Sequence, residues 1–185
     1  MRLFIGVWVR NDLHQQLTEL LEYYQGQHPQ LNWTLTNKLH MTLLFLGETD
    51  SKHLELIKKQ LHYIAQQTSV MLAECHQPCL LPSEDKPKVW GYQLKLQPNL
   101  MQLHHYLHQA LLPNKDLQPN SFRPHITLAR QPKTVDQGYQ DLSQINFDPP
   151  TPTAPLIIDH ISLIASELTQ EGSHYRCLAE YKLSR

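Results

Sequence analysis

Apolar and polar positions change period several times along this chain, and the changes mark out its elements. Residues 2–9 are rich in Leu, Ile, Val and aromatics and alternate weakly, as a strand does. Leu13, Leu17, Leu20, Leu21 and Tyr24 then fall on one face at helical spacing, predicting a helix over 12–26, with Asn11 as its cap and Pro29 beyond its end. A short strand is expected at 33–35 and a longer one at 39–46, stopped by Gly47. Asp50 or Ser51 caps a helix over 52–67 that turns Leu54, Ile57, Leu61 and Ile64 inward. Residues 70–81 read as extended and 88–96 as an alternating strand. A third helix covers 99–112, with Leu100, Leu103, Leu107 and Leu111 inward and Pro113 after it. Residues 113–122 are loop, 125–129 a strand, and 131–155 a proline-rich loop with one helical turn. A strand over 156–168, a turn at Glu171-Gly172 and a strand over 174–183 close the chain as a hairpin. The order is β-α-β-α-β-β-α-β-β-β. Strands outnumber helices and hairpins are frequent, which argues for α+β with antiparallel sheets.

Two of these strands share a pattern: His40-Met41-Thr42-Leu43 and His125-Ile126-Thr127-Leu128. They lie nearly half the chain apart, which suggests a weak internal duplication into two similar lobes. Side chains i and i+2 of a strand point to one face. His40 projects with Thr42 and His125 with Thr127, while Met41, Leu43, Ile126 and Leu128 go to a core. If twofold symmetry brings the two strands face to face, two imidazoles and two hydroxyls surround one small volume. A neutral and a protonated imidazole can then remove a proton from an attacking group and give one to a leaving oxygen. Thr hydroxyls can bind the other phosphate oxygens. A single His-x-Thr is usually a satisfied polar pair; two copies in apolar strands, both followed by Leu, point to chemistry.

Charge and composition narrow the partners. With 16 Lys and Arg against 17 Asp and Glu, the formal net charge is −1. Nothing suggests a broad basic face that coats nucleic acid, so contact with a nucleic acid should be local, such as one phosphate at a chain end. Three Cys, no secretory segment and no apolar run of membrane-spanning length lead us to expect a reduced, cytosolic protein. No Gly-x-Gly-x-x-Gly or Walker loop occurs. His104 and His108 have the i, i+4 spacing of zinc ligands, but position 105 is His rather than the Glu of a zincin, and they are expected to be solvated helix histidines. Trp90 and Tyr92 share a strand face near Lys86 and Lys88 and could stack on bases, core packing being the alternative for at least one of them. A Ser or Cys hydrolase is disfavoured because there is no nucleophile elbow.

The sequence resembles the 2H phosphoesterase superfamily, and within it the RNA 2′,3′-cyclic phosphodiesterase branch, also called the 2′-5′ RNA ligase family. The resemblance runs from Arg2-Leu3-Phe4-Ile5 through Asn37-Lys38-Leu39-His40-Met41-Thr42-Leu43-Leu44-Phe45-Leu46-Gly47-Glu48 and Lys88-Val89-Trp90. It continues through Phe122-Arg123-Pro124-His125-Ile126-Thr127-Leu128-Ala129-Arg130 to Ile161–Ser166, Gly172 and Tyr175. The stretch before His125 is shorter than the family's. The resemblance implies a single domain over 1–185: a bilobal α+β fold with two pseudo-symmetric lobes, each with an antiparallel sheet and flanking helices, around a central cleft. It implies hydrolysis of RNA 2′,3′-cyclic phosphate termini to 2′-phosphates without metal or cofactor, together with reversible 2′-5′ ligation. By that resemblance His40 is the proton donor to the leaving 3′ oxygen and His125 the proton acceptor that activates water. Thr42, Thr127 and Arg130 bind the phosphate. Residue types alone do not assign the two histidine roles, because the motifs are nearly symmetric. The expected partner is an RNA end, not a membrane, and the expected state a monomer. The rival readings are a 2H phosphodiesterase for another small cyclic phosphate and a non-catalytic RNA-end-binding module.

Overall fold

The computed structural model describes residues 1–115, 122–132, 142–145, 147–169 and 172–184. Its elements follow in the order β1 (Arg2–Trp8), α1 (Asn11–Gln27), β2 (Asn32–Trp33), β3 (His40–Glu48), α2 (Leu54–Gln67), β4 (Met71–Ala73) and β5 (Cys75–Leu81). Then come β6 (Val89–Leu94), α3 (Pro98–Leu111), β7 (His125–Arg130), β8 (Leu156–Ile158), β9 (His160–Thr169) and β10 (Gly172–Lys182). Parts of the expected loops at 113–122 and 131–155, and Glu171 of the expected turn, lie outside the described residues.

Periodicity predicts each helix to within about two residues, because each buries the face it repeats: Leu13, Leu17, Leu20, Leu21 and Tyr24 in α1, and Ile57, Leu61, Ile64 and Ala65 in α2. Asp50 caps a short 3₁₀ turn at Ser51–His53, its side chain accepting from the Lys52 N–H at 3.0 Å, whereas α2 itself begins after that turn without a side-chain cap. Asn11 does not cap: helix α1 starts without a side-chain cap, and Asn11 lies within it at φ 57, a left-handed conformation that Asn tolerates better than most residues. Two segments expected to be continuous are broken. The chain changes sheets at Glu74 and again at Asp159, so that β4 and β8 pair with each other while β5 and β9 join the main sheet.

Among the described residues the main sheet has the order β10-β9-β1-β3-β7-β6-β5, all antiparallel, with β2 beside β7. Its two halves, β10-β9-β1-β3 and β7-β6-β5, join between β3 and β7 through one residue pair, Met41 opposite Ile126. The helices pack on one face, over a core that includes Leu3, Ile5, Val7, Met41, Leu43, Ile126 and Leu128. Helices α2 and α3 lie against the first half, while α1 reaches the second through Tyr24 against Trp90.

Several side chains differ from expectation. Trp90 and Tyr92 are both in the core, at 1% and 0% exposure. Trp90 stacks on Phe147 at 3.9 Å and the Tyr92 hydroxyl donates to the Pro150 carbonyl, so neither is free to stack on a base. His104 and His108 are buried rather than solvated. Helix α3 buries 100, 103, 104, 107 and 108, a wider stripe than the leucines alone, because it faces both α2 and β3. No helix among the described residues is long and apolar enough to cross a membrane.

Candidate active site

The pair Met41–Ile126 organises the site. Both side chains are fully buried on the helix side. In an antiparallel ladder the neighbours on each strand point the other way, so residue 40 lies across from 127, and 42 across from 125, on the open face. Each imidazole therefore faces the threonine of the other motif, and the two imidazoles sit diagonally, about 7–8 Å apart at the backbone. The twofold inferred from the repeat is local and passes through this pair. The strands lie side by side in one sheet rather than face to face.

The two motifs are held in matching ways. His40 Nδ1–H donates to the Lys38 carbonyl at 2.7 Å, and His125 Nδ1–H to the Arg123 carbonyl at 2.8 Å. This leaves Nε2 of each ring as the reacting nitrogen. The two basic residues that supply those carbonyls are themselves anchored. Lys38 Nζ donates to the Ser173 carbonyl at 3.0 Å and Arg123 Nη1 to the Pro82 carbonyl at 2.9 Å. Arg123 thus acts on the His125 backbone support.

The leucine that ends each motif has a role its hydrophobicity does not reveal. In the β1–β3 register Ile5 is opposite Leu44 and Gly6 opposite Thr42, which leaves Leu43 as the extra residue of a β-bulge. In the β6–β7 register Trp90 is opposite Ala129 and Gly91 opposite Thr127, which leaves Leu128 extra in the same way. Both bulge carbonyls have partners outside the ladder: His104 Nδ1–H donates to Leu43 at 2.7 Å and the Thr34 N–H to Leu128 at 2.8 Å. The bulges shift the alternation. Leu128 and Ala129 are consecutive and both fully buried, so the next residue, Arg130, returns to the His125 face. Without the bulge Arg130 would share the core face with Ile126. Its charge instead bears on both imidazoles.

Phe4, Trp8 and Tyr175, none of which was singled out from residue chemistry, wall His40. Their rings lie 5.0, 5.9 and 5.2 Å from the imidazole. A signal for Phe4 and Trp8 exists in β1, where they alternate with fully buried Leu3, Ile5 and Val7. Burial pushes the His40 pKa down to about 4, with the Arg130 and His125 charges adding to it and the Lys38 carbonyl opposing. His125 is lowered too, first by burial and then by Arg130 and Arg123. Among the described residues neither Thr42 nor Thr127 makes a side-chain hydrogen bond, and no three His, Cys, Asp or Glu side chains cluster as a metal site would. What remains is a compact face with two free imidazole nitrogens, two free hydroxyls and one guanidinium, of which the hydroxyls and the guanidinium favour an anion.

A family model described as the 2′-5′ RNA ligase superfamily matches residues 14–170. The chain belongs to the 2′-5′ RNA ligase superfamily. Two curated relatives are each named an RNA 2′,3′-cyclic phosphodiesterase. The Thermotoga maritima protein is 26% identical over 180 residues, covering 97% of this chain and 94% of the relative. The Thermus thermophilus protein is 25% identical over 193 residues, covering 99% and 90%. Within the solved structures, E. coli LigT complexed with NADP+ superposes with a TM-score of 0.76 at 20% identity, covering 100% of this chain and 98% of that one. This last likeness is one of fold. Both His-x-Thr motifs lie inside the span that matches the superfamily model.

Proposed function

We propose that the protein hydrolyses 2′,3′-cyclic phosphate ends of RNA to 2′-phosphates, using His40 and His125 as a general acid–base pair. One observation carries this reading: Met41 opposite Ile126 puts both His-x-Thr pairs on one open face with both Nε2 atoms free. The names of the Thermotoga and Thermus relatives point to the same activity.

The phosphate sits between the imidazoles, its non-bridging oxygens on Thr42, Thr127 and Arg130. Water attacks phosphorus as His125 Nε2 accepts its proton. The bond from phosphorus to the 3′ oxygen breaks, and His40 Nε2–H protonates that oxygen. The products are a 2′-phosphomonoester and a free 3′-hydroxyl, and solvent exchange restores both rings. The assignment of donor and acceptor follows the family resemblance, since the hydrogen bonds of the two rings are alike. His40 must carry a proton at the start, and its lowered pKa opposes that; an anionic phosphate placed against it reverses the balance, because an opposite charge favours the protonated ring. A 5′-hydroxyl in place of water would yield a 2′–5′ linkage by the same steps. All five residues come from one chain, so a monomer suffices.

The test is product analysis on an oligonucleotide ending in a 2′,3′-cyclic phosphate, with EDTA present. The wild type should give the 2′-phosphate. His40→Ala and His125→Ala should each be slower by about 10²–10⁴-fold, the usual worth of acid or base assistance. A folded His40→Ala protein at near wild-type rate would overturn the mechanism. Loss of activity in EDTA, restored by zinc or manganese, would favour a metallohydrolase.

A further inference from the structure

A water that attacks phosphorus has two hydrogens to place. One goes to His125 Nε2 in the proposed reaction. The other stays on the oxygen and needs an acceptor if a lone pair is to be held in line with phosphorus. The side chains beside His125 on the open face decide what that acceptor is. On one side lies Thr42 of β3, whose hydroxyl serves the phosphate. On the other lies Gln93 of β6, opposite His125 in the register, and side chains so paired have Cβ atoms about 4.5–5.5 Å apart. Gln93 alternates with Tyr92 and Leu94, both fully buried, so it stands on the open face with the imidazole. It is half-buried, and among the described residues its carboxamide makes no hydrogen bond.

The surroundings of Gln93 suit this use. Two residues before it on the same face of β6 is Gly91, opposite Thr127, which has no side chain. Strand β6 therefore puts nothing between Gln93 and the phosphate position. Outward from His125 the open face continues as a groove of about 350 Å³, lined by Gln77, Cys79, Leu81, Gln93 and Pro124 among others. The 3′ oxygen leaves on the His40 side, so an in-line nucleophile arrives on the His125 side, where this groove admits solvent. A carboxamide oxygen accepts a hydrogen bond without competing for the proton that His125 takes. In phosphoryl transfer to water a glutamine can orient the attacking molecule in this way.

We propose that Gln93 is a further catalytic residue, whose side-chain carbonyl accepts the second hydrogen of the attacking water and aims that water at phosphorus. As the new bond from oxygen to phosphorus forms and the bond to the 3′ oxygen breaks, one proton passes to His125. The other stays on the 2′-phosphate, hydrogen-bonded to Gln93 Oε1. The proposal rests on the reading that His125 serves the nucleophile and His40 the leaving oxygen.

The experiment follows a nucleoside 2′,3′-cyclic monophosphate in water and then with methanol added, and measures the 2′-phosphate against the 2′-methyl phosphate diester. Gln93→Met keeps the length of the side chain and loses the acceptor. It should lower kcat for hydrolysis by roughly five- to tenfold, the scale of one hydrogen bond, with KM and the pH profile kept. Methanol has a single hydroxyl hydrogen, which goes to His125, so it needs no second acceptor. The diester share of the product should therefore rise in Gln93→Met. Gln77→Met, at the exposed position opposite Gln93 on β5, should change neither quantity. An unchanged kcat in Gln93→Met would overturn the inference and leave the phosphoesterase reading intact. So would a fall in kcat with no rise in the diester share, or with a shifted pH profile, since Gln93 would then be acting through His125. The same changes in Gln77→Met would overturn it as well, by assigning them to the groove at large. A wild type inert on the cyclic phosphate, or a His125→Ala protein at wild-type rate, would instead bring down the acid–base reading.

Discussion

His40 lies where three aromatic rings and two like charges disfavour its protonation, yet the proposed chemistry needs it protonated. Its folded pKa of about 4 is below the 6.5 of an unperturbed imidazole. As pH falls, the unfolded chain therefore takes up the proton first. The stability that neutral His40 contributes is intact above about pH 6.5 and is lost between there and about pH 4, amounting to ~3 kcal/mol at 1.36 kcal/mol per pKa unit. His125 and His104 are shifted in the same direction and add to the trend. Urea unfolding at pH 7.5 and 4.5 should show His40→Asn losing markedly less stability on acidification than the wild type; equal losses would contradict the burial argument. In NMR titrations the His40 pKa should rise when inorganic phosphate is added, because the anion favours the charged ring.

At the scale of elements, the two bulges depend on glycines in the neighbouring strands. Gly91 lies opposite Thr127, and a Cβ built there would run into the Ile126 carbonyl, 3.0 Å from its carbon and overlapping its oxygen. Gly6 lies opposite Thr42, where a Cβ would come 3.0 Å from the Met41 oxygen and 3.3 Å from the Phe4 ring. Gly91→Ala must push β6 away from β7 and shift Ile126 and Thr127 with it. It should cost about 1–3 kcal/mol, the usual penalty of overpacking, and slow turnover as well. Gly6→Ala should be milder on both counts. Urea midpoints and kcat for the two variants check the order, and a Gly91→Ala protein as stable and as fast as the wild type would show that the strands can part without consequence.

At the scale of the molecule, the two halves of the sheet are not the two halves of the chain. Helix α1 follows β1 but packs against β6, and α3 follows β6 but packs against β3. Each β-α-β unit thus lends its helix to the other's sheet. Since β3 and β7 share only one pair, these crossings hold the catalytic strands together. His104 on α3 is one such tie: it donates to the Leu43 carbonyl on β3 while stacking on Phe122, three residues before His125, at 4.2 Å. His104→Leu leaves that buried carbonyl unpaired and should cost about 1–3 kcal/mol. It should also reduce kcat, because Leu43 follows Thr42 directly. Thermal unfolding and steady-state rates on a cyclic phosphate would check this, and unchanged values in both would rule out a coupling role.

Hydrophobic period alone determined the three helices, most of the strands, and which side of β3 and β7 faces the core. It did so because each of these elements buries the face it repeats. The paired His-x-Thr-Leu motifs named the four polar residues that the register of β3 and β7 brings to one open face. Tertiary structure decided the rest. Whether Trp90 meets a base or Phe147 depends on where α1 crosses, and whether His104 is wet or buried depends on α3 lying between α2 and β3. Arg130 stands five residues after His125, and strict alternation would turn it toward the core. Only the bulge at Leu128 brings it back, and that bulge exists because of pairing with β6, a strand more than thirty residues away in sequence. The aromatic wall of His40 arises in the same way, from side chains of strands whose adjacency is set by packing rather than by any local pattern.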